Sequence, residues 1–231
     1  LRFRSIFAFF FFFLAFIFAE DILSYSEGKL YGEDILYKKS TPYQRIVLTR
    51  AKSDIHLFLN NNLQFSSKDE YRYHESLVHP AMSLAPKTNR VLVLGGGDGL
   101  ALREILKYEE VQEITLVDLD RAITDLFKTN PLLTPLNHQS LNHPKVSIVN
   151  ADAYIWLRNN TKLYDVAIVD FPDPSNYSVG KLYTRNFYET LRLSLSPEAM
   201  VAVQTTSPFF APKSFWCVQR TLAEVFPNVQ P

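Results

Sequence analysis

Carboxylates follow four successive apolar runs from residue 90 onward. The run "YDVAI" leads into "VDFPDPSN", where Asp170 and Asp173 stand three residues apart. A turn explains one aspartate and one proline, because both favour turns, but it leaves the pairing unexplained. The other strand-end acids are Asp98, Asp118, Asp120 and Asp152. Acids gathered at one edge repel one another, so the pattern predicts a polar or cationic ligand that compensates them.

A glycine loop, "GGGDGL", restricts the class of ligand that the site can bind. Gly95, Gly97 and Gly99 do not have the spacing of a dinucleotide-binding loop. A pyrophosphate would also be repelled by Asp98 at the helix N-terminus, where anions normally bind. Asp118, about 20 residues further on, is placed to accept both hydroxyls of a ribose. These residues favour a phosphate-free nucleoside with a positive centre, such as a sulfonium.

The elements that must position these acids alternate between strand and helix from Arg90 onward. Continuous Val/Ile/Leu runs separated by amphipathic stretches indicate a parallel sheet covered on both faces. We therefore predict an α/β fold over residues 69–231, a doubly wound, mostly parallel sheet of the Rossmann-like, methyltransferase type. Ligands of such sheets bind at the carboxyl ends of the strands. The stretch "NPLLTPLNHQSLNHP" predicts a long surface connection before the third strand.

Shorter β-prone runs precede this domain and predict a small antiparallel sheet over residues 36–68. Asn60, Asn61 and Asn62 predict a hairpin turn, because Asn tolerates positive φ. Residues 23–35 are mixed and charged, which is typical of a linker or a juxtamembrane helix. "DEYRYHESLVHPAM" has helical spacing, with Tyr73 on the same face as two apolar residues.

Residues 1–22 form a hydrophobic segment. Ile6 to Ala19 contains no polar side chain, and Arg2 and Arg4 precede it. Such a run is shorter than the roughly 30 Å hydrocarbon core, so it suits the end of a transmembrane helix or a signal peptide. We expect the first of these. A buried helix is the alternative, although five consecutive phenylalanines fit it poorly.

Composition excludes several classes of function. The chain is 47% hydrophobic and carries 24 basic and 24 acidic residues, which argues against nucleic acid as a partner. Its single cysteine, Cys217, excludes an intrachain disulfide. His79, His138 and His143 do not show metal-ligand spacing, so no metal site is expected.

Several motifs together resemble those of one known family. They are "YQRIVLTR", "LFLNNNLQFSSKDEYRYHESLVHPA", "VLVLGGGDG", "LVDLD", "NADA", "VDFPDP" and "LYTRNFY". In this order and spacing they resemble the spermidine synthases, the polyamine aminopropyltransferases, over residues 36–226. The hydrophobic N-terminus is similar to a membrane-associated variant of that family.

The resemblance implies a reaction and its partners. The family moves the aminopropyl group of decarboxylated S-adenosylmethionine to putrescine, which gives spermidine and 5'-methylthioadenosine. The nucleoside is then a co-substrate, and no tightly bound cofactor is expected. Relatives form dimers, which makes a homodimer possible. Relatives also continue with further strands, so the resemblance implies a catalytic domain truncated at its C-terminus. Because both substrates are cytosolic, we expect a membrane protein with its catalytic domain on the cytoplasmic face.

The resemblance also implies roles for residues on the amine side of the site. Asp170 would orient the amine and remove its proton, and Asp173 would bind the diamine. Tyr73 would contribute to catalysis, and together with His74 it would line the amine channel. Asp98 would contact the aminopropyl or amine nitrogens. From the pattern alone, Asp170 could instead be a strand-end turn residue and Tyr73 a core residue.

Other roles implied by the resemblance concern the nucleoside. The glycine loop and Asp118 would hold it, with Asp118 on the ribose and Asp152 with Ala153 on the adenine. Gln44 matches a residue that contacts the nucleoside, and Tyr177 stands where relatives have a contacting proline. Asp120 is interpreted as a helix N-cap.

Two other functions fit part of the pattern. A small-molecule methyltransferase that uses S-adenosylmethionine shares the fold and the glycine loop, but has no need of the Asp170 and Asp173 pair. A non-catalytic domain that senses polyamines or nucleosides on a membrane protein would bind without turnover. The charged motif positions argue against a silent domain.

Overall fold

The computed structural model describes residues 2–174 and 177–231, and of these the side chains of residues 2–7, 20, 23 and 24 are left undescribed. The chain divides into two units, Leu1–Lys68 and Asp69–Pro231. The first unit contains α1 (Arg2–Ile17), α2 (Ala19–Tyr31), β1 (Asp34–Ser40), β2 (Arg45–Ala51), β3 (Asp54–Leu59) and β4 (Asn62–Ser66). The second contains α3 (Glu70–Leu84), β5 (Arg90–Gly95), α4 (Leu100–Ile105), β6 (Glu113–Asp118), α5 (Arg121–Thr129), β7 (Val146–Asn150), α6 (Ala153–Asn159), β8 (Tyr164–Asp170), α7 (Tyr177–Gly180), α8 (Arg185–Arg192), β9 (Leu195–Val203) and α9 (Pro212–Ala223).

The first unit is built on a four-stranded antiparallel sheet in the order β1-β2-β3-β4. Asn60 and Asn61 connect β3 and β4 with φ values of 50° and 66°. Two consecutive residues with positive φ form the type of turn whose twist matches the flanking strands. The small antiparallel sheet and its hairpin turn are therefore confirmed.

The hydrophobic N-terminus differs from the expectation. The 16-residue helix α1 spans about 24 Å at 1.5 Å per residue. Phe18 then leaves helical geometry (φ −94°, ψ 13°), and α2 begins again with charged residues. Of the helices the structure describes, none has both the length and the hydrophobicity to cross a bilayer. The prediction of a membrane helix over residues 1–22 is thus not supported.

Residues 23–35, predicted as a linker, belong to the end of α2 and the start of β1. An ion pair fixes this helix on the sheet: Arg45 Nε and Nη2 donate to the two carboxylate oxygens of Glu27 at 2.7 and 2.8 Å. Glu27 is buried, and the ring of Tyr31 packs 4.6 Å from that of Phe58. These long-range contacts order a segment whose composition alone suggested a connection.

The second unit is built on a parallel five-stranded sheet in the order β7-β6-β5-β8-β9. Its central strands β5 and β8 are buried almost throughout, as their continuous apolar sequences require. The predicted doubly wound parallel sheet is confirmed. The strand order reverses beside β5, and this is where such sheets bind ligands.

The connection between α5 and β7 is long, as predicted, but only part of it lies at the surface. Leu133, Asn137, Ser140 and Leu141 on this segment are buried. Asn137 Nδ2 donates to the carbonyl oxygen of Asp98 at 2.8 Å, and Ser140 Oγ donates to that of Gly99 at 2.6 Å. These two hydrogen bonds therefore hold the backbone of the glycine loop in place.

Candidate active site

The glycine loop lies between two carboxylates of the sheet edge. Gly95, the last residue of β5, pairs with Asp170 of β8 and has φ 82°. A β-carbon at Gly95 would lie 2.1 Å from the carbonyl oxygen of Asp170, and one at Gly97 would lie 2.7 Å from Asp118 Oδ2. Only glycine permits this close approach. The loop thus brings Asp118 and Asp170 to opposite sides of one short segment.

Asp118 is held by backbone donors. Its Oδ2 accepts from Gly97 N at 3.1 Å, and its Oδ1 accepts from Asp120 N at 2.9 Å. Burial raises the pKa of Asp118 to about 6 against the effect of these hydrogen bonds, and the charge of Asp98 adds to the increase. Asp120 caps α5 by accepting from Ala122 N at 3.0 Å, which confirms its interpretation as an N-cap.

Asp170 is paired with Tyr73. The Tyr73 hydroxyl donates to Asp170 Oδ1, although the two residues are 97 positions apart. Burial and then the charge of Asp98 raise the pKa of Asp170 to about 6, while His74 and the Tyr73 hydroxyl act in the opposite direction. Burial and the Asp170 charge also raise the pKa of Tyr73, which therefore remains a donor. Asp170 Oδ2 faces the backbone of Gly96, where a β-carbon would lie 3.0 Å away.

The other two acids are less enclosed. Asp98 is half-buried, and its Oδ1 accepts from Leu100 N at 2.9 Å. Asp173 is exposed, and its Oδ1 accepts from Gln204 Nε2 at 2.9 Å. Gln204 is itself fixed by Tyr183, whose hydroxyl donates to Gln204 Oε1 at 3.0 Å.

These carboxylates form what we call the acidic rim, defined as Asp98, Asp118, Asp170 and Asp173. Within residues 2–174 and 177–231, no Lys or Arg forms an ion pair with any of the four. Burial first, and then the charge of Asp98, raises the pKa values of Asp118 and Asp170. Such an arrangement is suited to a ligand that brings its own positive charge.

Asp152 is held differently from the rim acids. Its Oδ1 caps α6 by accepting from Tyr154 N and Ile155 N at 2.9 and 3.2 Å, and its Oδ2 is 2.6 Å from Lys181 Nζ. Ala153 is buried in the first turn of the same helix. Because both carboxylate oxygens of Asp152 are engaged, its adenine contact stays a prediction and would require Lys181 to move or to share it.

His74 is only 2% exposed, and its place in an amine channel stays a prediction. Its Nδ1 lies 2.9 Å from the carbonyl oxygen of Glu70 and 2.8 Å from Glu70 Oε2. Burial alone would lower the pKa of His74, but the hydrogen bond to Glu70 and the charges of Asp98 and Asp170 raise it to about 9. His74 therefore acts on the site through its charge, which lowers the pKa of Asp170.

Two predicted nucleoside contacts remain predictions. Gln44 belongs to the first unit, in the turn between β1 and β2, where its N–H donates to Thr41 Oγ1 at 3.0 Å. Tyr177, at the start of α7, is 93% exposed.

One group in the described chain has the ligand types of a metal site. Glu75, His79 and Glu104 place three ligand atoms within 4.8 Å of one another. The ammonium of Lys107 already contacts Glu104 Oε2 and lies 4.0 Å from Glu75 Oε1. A cation supplied by the chain thus neutralises this group, and we assign no metal to it.

Several supporting residues were missed from the sequence. Gly96 was overlooked beside the other glycines, although "GGG" already shows it. The remainder are Lys181, Gln204, Tyr183, Asn137 and Ser140. Their partners are between 21 and 41 positions away, so local periodicity gives no signal for them.

Comparison with known proteins agrees with this geometry. The spermine/spermidine synthase domain family matches residues 70–231. A polyamine aminopropyltransferase of Leptospira interrogans is 52% identical over 212 residues, 92% of this chain and 43% of that protein. Polyamine aminopropyltransferase 2 of Ralstonia nicotianae is 53% identical over 206 residues, 89% of this chain and 40% of that protein. The chain therefore spans less than half the length of these curated relatives.

Solved structures show the same similarity. A spermidine synthase in complex with the transition state analogue AdoDATO has a TM-score of 0.80 at 29% identity, covering 84% of this chain and 66% of that chain. The spermidine synthase of Thermotoga maritima has a TM-score of 0.77 at 28% identity, covering 84% of this chain and 65% of that chain. The resemblance inferred from the sequence motifs is confirmed, and the chain belongs to the spermine/spermidine synthase domain family.

Proposed function

We propose that the protein transfers the aminopropyl group of decarboxylated S-adenosylmethionine to putrescine or a related polyamine. The observation that carries the proposal is the acidic rim, in which the described chain supplies no Lys or Arg partner and two carboxyl pKa values are raised. Both substrates are cations, a sulfonium and a diammonium. Their binding would supply the charge that the rim lacks, which explains why the acids lie together.

The chemistry requires a carboxylate that is free to accept a proton. The neutral amine nitrogen attacks the carbon next to the sulfonium sulfur, a C–N bond forms, and the C–S bond breaks with its electron pair passing to sulfur. The products are a thioether nucleoside and a secondary ammonium. The attacking nitrogen enters as an ammonium and becomes a nucleophile only after it loses a proton, so Asp170 accepts that proton before the attack and releases it to solvent afterwards.

Tyr73 determines which oxygen of Asp170 does this. The Tyr73 hydroxyl donates to Oδ1, so Oδ2, beside Gly96, is the oxygen left for the amine. Asp173 holds the distant ammonium of the diamine, and its carboxylate is oriented by Gln204. Positioning of the two substrates for in-line displacement supplies the remainder of the rate enhancement.

The nucleoside lies against the glycine loop in this proposal. Gly95, Gly97 and Gly99 allow it to approach the backbone, Asp118 accepts the ribose hydroxyls, and Asp98 faces the aminopropyl nitrogen. A carboxylated co-substrate would bring its own negative charge toward Asp98, which selects for the decarboxylated form. The co-substrate dissociates after each turnover, so the protein has no tightly bound cofactor.

Product analysis tests the proposed function. The full-length natural protein is incubated with decarboxylated S-adenosylmethionine and, separately, putrescine, a longer diamine or spermidine, and the products are identified by mass spectrometry. We expect 5'-methylthioadenosine and an amine heavier by one aminopropyl group. A methylated amine formed with S-adenosylmethionine would instead establish a methyltransferase. Binding of both substrates without any product would establish a sensor.

We further propose that α1 attaches the protein to a membrane, with the catalytic unit on the cytoplasmic face. The support is that Phe9, Phe12 and Phe16 on α1 are 74%, 70% and 81% exposed, an apolar surface that water disfavours. Replacing the three with Ser should release the protein from the membrane fraction, whereas Tyr25→Ser on α2 should not. Sedimentation of the natural protein with soluble proteins would contradict the proposal.

Dimer formation is a separate proposal that rests on the family resemblance. We propose that the natural protein is a homodimer. Light scattering of the purified protein would give twice the mass of one chain. A mass equal to that of one chain at micromolar concentration would contradict this.

A further inference from the structure

A row of alternating charges lies between α3 and α4, behind the acidic rim. We call it the paired seam, and its members are His74, Glu70, Arg103, Glu104 and Lys107. Arg103 Nη1 and Nη2 bind the two oxygens of Glu70 at 2.7 and 3.0 Å, and Arg103 Nε binds Glu104 Oε1 at 2.8 Å. The ammonium of Lys107 binds Glu104 Oε2. All members except Lys107 are at least nine-tenths buried.

The part of the seam formed by His74, Glu70 and Arg103 carries an excess positive charge. Glu70 carries one negative charge and stands between the cations of His74 and Arg103, which leaves one net positive charge. Glu104 is balanced further out by Lys107. The excess is therefore not compensated within the seam. His74 adjoins Tyr73, whose hydroxyl donates to Asp170, and the charges of Asp98 and Asp170 both act on it.

Glu70 fixes the proton and the orientation of His74. Nδ1 faces two acceptors of Glu70 and must carry a proton to satisfy either of them. The ring of His74 also meets the ring of Tyr73 edge-on, at 4.9 Å and 88°. Tyr73 donates to Asp170, so a displacement of His74 would change the geometry of the Tyr73 to Asp170 hydrogen bond.

We propose that Glu70 and His74, anchored by Arg103, form a positioning unit that holds a fixed positive charge below Asp98 and Asp170 and keeps Asp170 ionised for proton transfer. The inference rests on the proposed function and assigns it residues that do not touch the reacting atoms. The groups that act on His74 come from each neighbouring element. They are Glu70 and Tyr73 on α3, Arg103 on α4, Asp98 in the glycine loop and Asp170 on β8.

The expected effect has a definite sign. Burial and Asp98 raise the pKa of Asp170, and the cation of His74 lowers it. Without that cation the pKa of Asp170 would increase further, by about one unit for a nearby charge. Asp170 would then be protonated over a wider pH range and unable to accept a proton from the amine.

The pH profile of kcat/KM tests the unit. In His74→Asn, which removes the cation, the acidic limb should move to higher pH by about one unit, a roughly tenfold loss at pH 5 that disappears above pH 8. Glu75→Gln, a half-buried position on the same helix outside the unit, should leave the limb unchanged. Arg103→Lys keeps the positive charge and should retain most of the wild-type profile. A loss of activity by the same factor at every pH would overturn the inference.

An NMR titration separates this inference from the proposed function. The His74 ring signal, identified by its absence in His74→Asn, should titrate above pH 8 in the natural protein and below pH 7 in Glu70→Gln. A titration near pH 6.5 in the natural protein would overturn the inference, whether or not Glu70→Gln folds. If the natural protein gives no aminopropyl product, the proposed function fails, and the titration still decides whether the seam holds a buried cation.

Discussion

The acidic rim and the paired seam are neighbouring regions of one domain with opposite electrostatic design. In the seam, each carboxylate contacts a cation of the chain, and hydrogen bonds from Lys107, Arg103 and His74 lower the pKa of Glu104 and Glu70 despite burial. In the rim, burial and neighbouring acids raise the pKa of Asp118 and Asp170. The chain itself neutralises the carboxylates of the seam, whereas the carboxylates of the rim need the charge of a ligand.

This difference identifies which charges serve folding and which serve binding. A buried carboxylate that the chain neutralises contributes to a specific structure, and removing one partner leaves a charge without compensation. A carboxylate held among others without a cation opposes folding and persists because function needs it. The rim therefore has the character of a site for cationic substrates.

The largest expected effect is the loss of turnover in Asp170→Asn. An amide cannot accept the amine proton, so kcat should fall by about 10³-fold, within the range for general base catalysis. Affinity for 5'-methylthioadenosine, measured by calorimetry, should change by less than about threefold. Unchanged turnover would show that Asp170 is not the group that accepts the amine proton.

Asp118→Asn should weaken nucleoside binding rather than the amine step. Hydrogen bonds to a charged acceptor contribute about 1.5–3 kcal/mol, so the KM for the nucleoside should increase by about 10- to 100-fold. The KM for the diamine serves as the internal control and should change little. An equal increase in both values would show that Asp118 supports the whole site rather than the ribose.

Glu104→Gln tests the seam. The substitution leaves Lys107 and the Nε of Arg103 without the Glu104 carboxylate, and we expect a loss of about 2 kcal/mol in the free energy of unfolding. Glu110→Gln, an exposed position nearby, is the matched control and should change stability by less than about 0.5 kcal/mol. Denaturant unfolding measures both, and equal stability of the two variants would show that the seam is not needed for folding.

The smallest expected effect is the pH dependence of the natural protein. Asp170 has a raised pKa of about 6 and must be ionised to accept a proton. Values of kcat/KM should therefore increase about tenfold per pH unit below pH 6 and level off above it. A flat profile between pH 5 and pH 7 would mean that the pKa of Asp170 is not raised.

Stability should depend on pH with opposite sign for the carboxylates of the rim and the carboxylates of the seam. The raised carboxyl pKa values of the rim contribute stability below about pH 4 that is lost as the pH increases through about 6. The lowered pKa values of Glu70 and Glu104 contribute stability above about pH 4.5 that is lost in acid. His74 contributes stability below about pH 6.5 that is lost as the pH increases through about 9.

The sequence predicted the rim better than the seam for a physical reason. Asp98, Asp118 and Asp170 follow apolar strands, and the parallel arrangement of those strands brings their ends together whatever the details of packing. The seam depends on Glu70 meeting Arg103 across 33 positions, a contact that no local pattern specifies.

The same reasoning explains the errors in the rest of the chain. Asn60 and Asn61 were assigned correctly because positive φ is a property of the residues themselves. The segment around Asn137 was predicted only as a surface connection, since its polar composition does not show that it supports the glycine loop. Residues 23–35 were predicted as a linker because composition does not show the ion pair of Glu27 with Arg45 that fixes them.

The melting temperatures of Asp170→Asn and Glu104→Gln at pH 8, without nucleoside or amine, test the central claim most directly. Removing a rim charge should raise the melting temperature by about 2–4 °C, the equivalent of about 1 kcal/mol in a domain of this size. Removing the seam charge should lower the melting temperature by at least that amount. If Asp170→Asn lowers the melting temperature as much as Glu104→Gln does, the rim is an ordinary part of the folded structure and the account is wrong.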